Sequence, residues 1–404
     1  MKILEVLTYY RPWVSGLTIY VERLSRALVR QGHDVTVLTS QYDPNLPRYE
    51  VVDGVKVVRI PVAYRVSKGV LMPGFGPMAW KLAHRNDVIH LHLPQFDAPG
   101  VAMRGRLLGK PVVLTYHCDL QLPSGLFNRV VDRVVQAQNW MAGTLADAVV
   151  TYTRDYAMNT PYLSQYVERK LHIIPPPVEL VESDDAEVSA FKEKHQLAGK
   201  SVIGLSTRIA AEKGIEVLLE ALPIILKEHP EALVLHANPE TIGENAYARR
   251  LEPLFQRHAA HYIQLGGLHG SELTVFYKSL DVLCVTSLNR TESFGLVQIE
   301  AMRNNVPVAA CALPGVRQPV TMTGMGEVTP VGDSEALAQA VIAILNDKAT
   351  YQRDAQLIAD SFSPEQTAVT YATLFQSLQQ GHTDTSTPEP AAYERLRQMR
   401  DERQ

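Results

Sequence analysis

The chain has 404 residues, of which 46% are hydrophobic and 20% are charged, and its formal net charge at pH 7 is −4. This length and apolar content exclude a disordered chain and favour two folded domains. The basic residues are dispersed and are not interleaved with a series of stacking aromatics, so nucleic acid is not an expected partner.

Charge is unevenly distributed along the chain. Residues 1–180 carry 20 Lys and Arg against 14 Asp and Glu, a net of +6, whereas the remaining residues carry 19 against 29, a net of −10. A basic first half suits an anionic acceptor or an anionic membrane surface. Ordinary scatter of surface charge is the alternative.

The N-terminus predicts a cytoplasmic protein that is attached to the inner membrane surface at most peripherally. Residues 1–7 form an apolar stretch that is too short for a signal peptide and is interrupted by Glu5. No run of about 18 apolar residues occurs. The three cysteines, Cys118, Cys284 and Cys311, lack both even pairing and metal-ligand spacing, which indicates reduced thiols in a reducing compartment.

Apolar strands alternate with amphipathic helices through residues 1–180, which predicts a parallel sheet covered on both faces. The predicted strands are Ile3 to Leu7, Asp34 to Leu38, Val88 to Leu91, Val112 to Thr115 and Ala148 to Thr151. The predicted helices lie near Thr18 to Arg30 and Phe127 to Leu145.

The same alternation restarts after the bend at Pro175–Pro177, with a boundary expected near residues 178–200. The second set of predicted strands is Val202 to Leu205, Leu233 to His236, Tyr262 to Leu265, Val282 to Val285 and Val306 to Ala310. Two Rossmann-like domains are therefore expected, at residues 1–180 and 181–364. Residues 381–404 are expected to form a polar tail that is loosely ordered apart from a charged helix near Tyr393 to Arg403.

The segment from Glu292 to Glu300 places two carboxylates eight positions apart around the small-residue turn Ser293 to Gly295. It lies between an apolar strand and an apolar helical run, so the turn opens a helix whose unpaired N–H groups and positive dipole suit a phosphate. Glu300, two turns further along, can then accept hydrogen bonds from a ribose, while Glu292 can bind hydroxyls of the group that the phosphate carries. Without these flanking elements, the pair would indicate a solvated helix face.

A second segment, Ser206 to Gly214, follows the first strand of the second domain and also opens a helix. Arg208 and Lys213 can both approach a diphosphate at this position. Taken alone, an Arg and a Lys five positions apart are commonly surface charges.

These two segments closely resemble the paired-glutamate signature and the Gly-Arg-x-x-x-x-Lys-Gly element of the family 4 retaining glycosyltransferases. The resemblance covers roughly residues 1–380. It implies an α/β protein of the GT-B fold, in which two Rossmann-like domains with parallel sheets face each other across a cleft and a helix at residues 365–380 returns to the first domain. It also implies front-face transfer of a hexosyl unit from a nucleotide sugar, expected to be UDP-linked, to a glycan, lipid-linked or small-molecule acceptor. Neither a metal nor a cofactor is expected.

The resemblance implies a role for each matching residue. The catalytic set is His117, Glu292, Arg208 and Lys213. The donor-binding set is Gly16, Arg208, Lys213, Leu268, Phe294, Gly295, Leu296 and Glu300. His117 follows a predicted strand and corresponds to the family histidine at the donor sugar, Gly16 lies in the first strand-to-helix turn, and Leu268 lies in the loop that contacts the base.

The chain departs from the family pattern at several positions. Leu17 stands where a second glycine is common, Leu313 to Gln318 replaces a glycine-rich loop, and Asn304–Asn305 replaces a usual glycine. His90 and His92 alternate at the end of a strand, which suits structural histidines as well as it suits a site, and no Cys or carboxylate lies at metal-ligand spacing from them. These departures bear on donor preference and not on the fold.

Two other functions fit the same motifs. A GT-B nucleotide-sugar epimerase would need acid and base groups in the first domain, and a non-catalytic nucleotide-binding protein would bind the nucleotide without turnover.

The segment from Tyr64 to Lys81 is apolar and basic, so Leu71, Met72 and Phe75 could insert into an anionic interface. The competing interpretation is that these residues pack against the core of the first domain.

Overall fold

The protein folds into two compact units. The computed structural model describes residues 1–66, 69–120, 125–239, 245–382 and 389–402. Unit 1 comprises Met1–Pro177 with Phe362–Pro390, and unit 2 comprises Val178–Ser361 with Ala391–Gln404. Among the described residues, every helix is too short or too polar to cross a membrane.

The elements of residues 1–177 are ten strands and six helices in the described part of the chain. The strands are β1 Lys2–Val6, β2 Asp34–Gln41, β3 Tyr49–Val52, β4 Val55–Pro61, β5 Tyr64–Val66, β6 Gly69–Leu71, β7 Val88–Leu93, β8 Val112–Tyr116, β9 Ala148–Thr151 and β10 Leu171–Ile173. The helices are α1 Gly16–Arg30, α2 Phe75–Arg85, α3 Ala98–Leu107, α4 Leu126–Leu145, α5 Arg154–Asn159 and α6 Pro161–Ser164.

The elements from residue 178 onward repeat the alternation. The strands are β11 Val202–Ser206, β12 Leu233–Ala237, β13 Tyr262–Gly266, β14 Val282–Val285, β15 Val308–Cys311 and β16 Gly326–Thr329. The helices are α7 Asp185–Lys194, α8 Ile215–Glu228, α9 Asn245–Arg257, α10 Ser271–Lys278, α11 Leu296–Met302, α12 Gln318–Thr323, α13 Ser334–Asn346, α14 Ala355–Ser361, α15 Pro364–Gln379 and α16 Ala391–Asp401. Within the described residues there are also three short 3-10 helices, Ala211–Lys213, Ala259–His261 and Lys348–Tyr351.

The sheet of unit 1 has the strand order β10-β9-β8-β7-β1-β2-β4-β3 and is parallel except for β3, which pairs antiparallel with β4. Its central strands are buried along their length because helices cover the sheet, which explains their nearly continuous apolar sequence. The order of the sheet reverses between β1 and β7.

The sheet of unit 2 has the order β13-β12-β11-β14-β15-β16, and all of its strands are parallel. Numbered within the unit, this is 3-2-1-4-5-6, the order of doubly wound nucleotide-binding sheets. In such sheets, ligands bind outside the carboxyl ends of the two strands where the order reverses. In unit 2 these strands are β11, which runs into the Ser206 to Gly214 segment, and β14, whose following loop leads to the Glu292 to Glu300 segment.

All ten predicted strands are present, and the structure adds the hairpins β3–β4 and β5–β6 and the edge strands β10 and β16. Helix α15 belongs to unit 1, whereas α16 belongs to unit 2. The charged helix expected near Tyr393 to Arg403 is present as α16, and its Tyr393 and Leu396 are fully buried. Residues 383–388 of the tail lie outside the described residues.

The predicted membrane-inserting residues do not share one environment. Leu71 is 41% exposed, but Met72 is 8% and Phe75 only 2% exposed. Phe75 begins α2, and that helix buries one face against the unit's core. Insertion of Met72 and Phe75 is therefore a wrong prediction, and the competing interpretation of core packing holds for these two. Ser67 and Lys68 lie outside the described residues.

Candidate functional site

The two predicted cations lie in the turn between β11 and α8, at the point where the sheet order of unit 2 reverses. Arg208 Nη2 is 2.6 Å from Glu212 Oε1, and Lys213 Nζ is 2.5 Å from Glu292 Oε2. Their side chains are 34% and 20% exposed. Both cations therefore keep access to solvent while carboxylates hold them in place.

Gly214 allows the Lys213 turn to pack closely against the loop that follows β14. Its φ is +59°, and a Cβ at this position would lie 2.4 Å from the carbonyl oxygen of Thr286. The Thr286 hydroxyl donates to the Lys213 carbonyl oxygen at 2.8 Å, which ties the two loops together. A side chain at residue 214 would separate these loops, so the glycine is required by both conformation and space.

Glu292 closes the turn that precedes α11. Its Oε1 accepts a hydrogen bond from the Gly295 backbone N–H at 3.1 Å, while its Oε2 faces Lys213. Gly295 has φ +77°, in the left-handed region that favours glycine, and Phe294 is buried beneath the turn. Glu292 thus connects the cation to the start of α11.

Glu300 is buried on α11 and is held by a residue of the neighbouring helix α10. The Tyr277 hydroxyl donates to Glu300 Oε2 at 2.8 Å and lies 3.1 Å from the Ser206 hydroxyl oxygen. Ser206 is the last residue of β11, so Glu300 lies beside the carboxyl end of that strand. The structure therefore brings Glu300 close to the turn that carries Arg208.

The predicted base-contacting loop follows β13, and Leu268 in it is half-buried. This loop is joined to the end of β12: Asn238 Oδ1 accepts from the Gly266 N–H at 3.0 Å, and the Asn238 N–H donates to the Gly266 carbonyl at 2.8 Å. Asn238 thus makes a double contact with the loop.

In unit 1, Gly16 begins α1 immediately after the N-cap residue Ser15, whose hydroxyl accepts from the Thr18 N–H at 3.2 Å. A Cβ at Gly16 would meet no atom within 4 Å. The turn therefore leaves open space at the carboxyl end of β1, where the sheet order of unit 1 reverses.

His117 follows β8 and is 95% buried, with both ring nitrogens in contact with other side chains. Its Nε2 is 2.9 Å from His92 Nδ1, and its Nδ1 contacts the Tyr152 hydroxyl. Burial, followed by the neighbouring histidines, holds the pKa of His117 well below its ordinary value. The ring is therefore neutral at physiological pH and is locked within unit 1.

A carboxylate does lie beside His90 and His92. Glu5 of β1 pairs in register with His90 of β7, and its Oε2 is 2.6 Å from His92 Nε2 and 2.9 Å from His90 Nδ1. All three side chains are fully buried, and their ligand atoms lie within 4.8 Å of one another. His90 and His92 therefore have a carboxylate partner, contrary to the prediction from the sequence. Sequence spacing does not detect a partner that lies on a neighbouring strand.

Two further residues of unit 2 belong to the site but were not among the predicted ones. Glu212 pairs with Arg208, and Tyr277 pairs with Glu300. Glu212 carries a signal in the sequence, since it lies four positions after Arg208 next to a helix start. Tyr277 carries none, because its contact depends on how α10 packs beside α11.

Comparison with protein families gives two adjacent matches that together cover most of the chain. The model described as "Glycosyl transferase 4-like domain" matches residues 15–177, and the model described as "Glycosyl transferases group 1" matches residues 187–359. The first match ends at residue 177, where the first segment of unit 1 also ends, and the second match lies within unit 2.

Relatives of similar length include two enzymes that act on inositol compounds. The chain is 27% identical over 367 residues to the phosphatidyl-myo-inositol mannosyltransferase of Mycobacterium leprae, which covers 87% of this chain and 90% of that protein. It is 29% identical over 361 residues to the D-inositol 3-phosphate glycosyltransferase of Xylanimonas cellulosilytica, with coverages of 82% and 84%.

Solved structures with the same fold include nucleotide-bound and sugar-phosphate enzymes. Anabaena HepE in complex with UDP superposes with a TM-score of 0.74 at 19% identity, covering 93% of this chain and 100% of that one. Sucrose-phosphate synthase from Thermosynechococcus elongatus superposes with a TM-score of 0.75 at 23% identity, covering 94% and 99%. Both the family matches and these structures agree with the motif segments, and the chain accordingly belongs to the family 4 glycosyltransferases and has their GT-B fold.

Proposed function

We propose that the protein is a retaining hexosyltransferase that takes its sugar from a UDP-linked donor and needs neither a metal nor a cofactor. The observation that carries this proposal is the cluster at the carboxyl ends of β11 and β14. There the Lys213–Glu292 pair, the Arg208–Glu212 pair and the Tyr277–Glu300 hydrogen bond lie on adjoining turns of one sheet edge. This cluster offers positive charge for a diphosphate and a carboxylate for a ribose.

Each residue has a distinct role in the proposed reaction. Arg208 and Lys213 bind the diphosphate and stabilise the negative charge that develops as it leaves, which is commonly the largest contribution to such catalysis. Glu300 accepts hydrogen bonds from the ribose hydroxyls. Glu292 binds hydroxyls of the transferred sugar while it keeps Lys213 in place. The amides of Phe294 to Leu296 add the dipole of a helix start.

The hexosyl group transfers on the same face from which the leaving group departs. The leaving diphosphate accepts the proton of the attacking acceptor hydroxyl, so the new glycosidic bond forms on the face where the donor bond breaks. This route needs no nucleophilic carboxylate. On the resemblance to the family, we also assign the donor-sugar contact to His117, whose ring is neutral and held within unit 1.

The acceptor that we propose is an anionic polyol, such as an inositol phosphate, either free or carried on a lipid. The two curated relatives act on inositol compounds by their names. Unit 1 carries 20 Lys and Arg against 16 Asp and Glu, a net of +4, whereas unit 2 carries a net of −8. A basic acceptor domain attracts an anionic substrate.

The test begins with the donor. UDP-, GDP- and ADP-linked hexoses are compared by thermal shift of the full chain, and the best donor is incubated with inositol 1-phosphate, inositol 3-phosphate or phosphatidylinositol vesicles. We expect a product heavier by one hexose in mass spectra, with the anomeric configuration of the donor retained in NMR spectra, and undiminished turnover in excess chelator.

Other outcomes would assign the protein differently. An epimerised nucleotide sugar formed without acceptor would identify an epimerase. Tight UDP binding with no turnover on any acceptor would identify a nucleotide-binding protein. Loss of turnover with chelator, restored by magnesium or manganese, would refute metal independence.

A further inference from the structure

A line of buried polar side chains crosses the sheet of unit 1, and we call it the Glu5–His117 chain. It consists of Glu5, His92, His117 and Tyr152, which come from β1, β7 and the segments that follow β8 and β9. Glu5 and His92 are fully buried, and the other two are at least 95% buried. Burial of this much polar surface is costly unless the groups satisfy one another.

Successive members of the Glu5–His117 chain are in hydrogen-bond contact. His92 Nε2 is 2.6 Å from Glu5 Oε2, and His92 Nδ1 is 2.9 Å from His117 Nε2. His117 Nδ1 contacts the Tyr152 hydroxyl. Each imidazole is therefore engaged at both ring nitrogens.

The direction of every hydrogen bond follows from the acceptor at one end. An ionised carboxylate can only accept, so His92 Nε2 must carry a proton. A neutral imidazole has one N–H, so His92 Nδ1 accepts and His117 Nε2 must donate. His117 Nδ1 is then an acceptor, and the Tyr152 hydroxyl donates to it. Glu5 thus determines the tautomer of His117 through His92, over two successive hydrogen bonds.

The surrounding side chains and burial favour an ionised Glu5 and neutral rings at His92 and His117. Burial acts to raise the pKa of Glu5, but His90 and His92 outweigh it and lower the pKa to about 2. Burial and the neighbouring His90 lower the pKa of His92 to about 4. His117 has a pKa well below its ordinary value, chiefly through burial. At neutral pH the Glu5–His117 chain therefore contains one anion, the Glu5 carboxylate, and two neutral rings, those of His92 and His117.

A second branch supports Glu5 from the other side. His90 Nδ1 lies 2.9 Å from Glu5 Oε2 but outside hydrogen-bond geometry. His90 Nε2 is 2.7 Å from the Thr115 hydroxyl, which is 2.7 Å from the hydroxyl of Tyr371 on α15. This branch anchors the imidazole that lies against the carboxylate and connects it to the C-terminal helix of unit 1.

The contact between Glu5 and His92 has the length of a hydrogen bond and is shorter than the spacing of two ligands on one metal ion. Ligand atoms at about 2.0–2.1 Å from a tetrahedral zinc ion lie roughly 3.3 Å from one another. Glu5 Oε2 and His92 Nε2 are only 2.6 Å apart, which is a short charge-assisted hydrogen bond.

We propose that Glu5 and His92 are positioning residues that hold His117 as its neutral Nε2–H tautomer with a fixed ring orientation. The consequence for transfer rests on the proposed function, in which His117 contacts the donor sugar. The tautomer itself does not depend on that function. Two separate measurements therefore test the tautomer of His117 and its consequence for transfer.

The first readout is the tautomer of His117 in the full-length chain, labelled with 15N at histidine and observed by long-range 1H–15N correlation at pH 7. The His117 signals are identified by their loss in His117→Gln. We expect the Nε2–H form in the wild type. Glu5→Met removes the acceptor and should shift the tautomer ratio towards Nδ1–H by roughly tenfold or more. Glu5→Gln retains an accepting oxygen and should preserve the wild-type form.

Two controls accompany these spectra. His236 of unit 2 is held by its own partners, the Thr207 carbonyl at 2.8 Å and the Tyr262 hydroxyl, so its signals should not change. The exposed-carboxylate variant Glu231→Gln should leave His117 unaffected. If Glu5→Met does not fold, Tyr152→Phe replaces it, because that variant should retain the Nε2–H form.

The proposal is overturned if wild-type His117 is cationic or carries its proton on Nδ1. It is also overturned if Glu5→Met leaves the tautomer ratio unchanged, if Tyr152→Phe switches it, or if stoichiometric metal is found in the purified chain by mass spectrometry. The second readout is turnover: Glu5→Met should lower kcat with little change in the KM for the acceptor, and Glu5→Gln should recover most of kcat. Absence of wild-type turnover would refute the proposed function alone.

Discussion

The two cations at the end of β11 are held in ion pairs before any ligand binds. Arg208 pairs with Glu212 and Lys213 with Glu292, and all four side chains remain partly exposed. Such pairs contribute little to stability, since solvent screens them and side-chain entropy opposes them. We interpret them as a means of orienting the cations for a diphosphate, which would otherwise have to immobilise two long side chains on binding.

Replacing either cation should weaken nucleotide binding. We expect Arg208→Ala or Lys213→Ala to reduce the affinity for UDP by about 1.5–3 kcal/mol, because each removes a charge-assisted hydrogen bond to the diphosphate. Isothermal titration calorimetry measures this directly. Arg250→Ala is the matched control, since Arg250 forms an exposed pair with Glu216 on helices of the same unit. Unchanged affinity in both cation variants would contradict the assignment.

Residues close together in the sequence could be predicted as site residues, and their distant partners could not. Arg208 and Lys213 share one turn, and the Glu292–Glu300 segment is likewise local, so spacing and the adjoining strand define both. Tyr277 reaches Glu300 only through the packing of α10 against α11. Glu5 reaches His90 and His92 through the pairing of β1 with β7. Strand register and helix packing are properties of the folded chain that a single sequence does not state.

At the scale of elements, the predicted strands were those with continuous apolar sequence. All of them except β13, which is an edge strand, lie in the interior of the two sheets, where burial on both faces gives a strong signal. The missed hairpin β3–β4 lies at a sheet edge, and β3 is mostly exposed, so its sequence has no buried period. The short strands β10 and β16 likewise lie at edges. Edge strands satisfy fewer constraints and leave weaker patterns.

The terminal helix α16 was predicted as a helix, but its packing was not. Its sequence is rich in charge, and only a narrow stripe containing Ala392, Tyr393 and Leu396 is buried. Three buried positions in a helix of eleven residues do not distinguish a docked helix from a solvated one in the sequence. The contacts of α16 with α12 and α14 supply that information.

Removing the buried side chains of α16 should destabilise unit 2. We expect Tyr393→Ala to lower the free energy of unfolding by about 3–5 kcal/mol, because it leaves a cavity where a fully buried aromatic ring packed. Urea unfolding followed by circular dichroism measures the loss. The neighbouring exposed variant Glu394→Ala should change stability by no more than about 0.5 kcal/mol. Equal stability of both variants would mean that α16 does not dock on unit 2.

At the scale of the whole molecule, both units contain histidines that are buried in the neutral form. Burial, with a further contribution from His90, lowers the pKa of His92 in unit 1 to about 4, and burial lowers the pKa of His236 in unit 2 to about 4. The unfolded chain binds protons at these sites at higher pH than the folded chain does. Stability should therefore be fully present above pH 6.5 and decline as the pH falls towards 4.

This linkage predicts a loss of about 2 kcal/mol per histidine between pH 8 and pH 5. Urea midpoints at pH 8, 6.5 and 5 measure it. His236→Gln should flatten the dependence for unit 2 while leaving that of unit 1 in place. The low pKa of Glu5 adds a contribution of the same sign below about pH 4.5, where the unfolded carboxyl takes up a proton first. A free energy of unfolding that increases as the pH is lowered from 8 to 5 would contradict the prediction.

The surface of unit 1 retains exposed apolar side chains after Met72 and Phe75 are assigned to the core. Tyr64 and Leu71 face each other across the β5–β6 hairpin and are 72% and 41% exposed, and Trp80 of α2 is 45% exposed. The unit as a whole is basic, with a net charge of +4. Aromatic and aliphatic side chains on a basic surface are suited to weak contact with an anionic bilayer.

We therefore expect the full chain to co-sediment weakly with vesicles that contain an anionic phospholipid and not with neutral phosphatidylcholine vesicles. Raising the salt concentration should release it, because screening at 1 M ionic strength reduces the Debye length to about 3 Å. The double variant Leu71→Ser with Trp80→Ser should lose binding, since each apolar side chain contributes through burial in the interface. Val331→Ser, which changes an exposed apolar residue of the acidic unit 2, is the matched control and should bind like the wild type. Binding that ignores lipid charge and salt, or no binding to either vesicle, would favour a free anionic acceptor over a lipid-carried one.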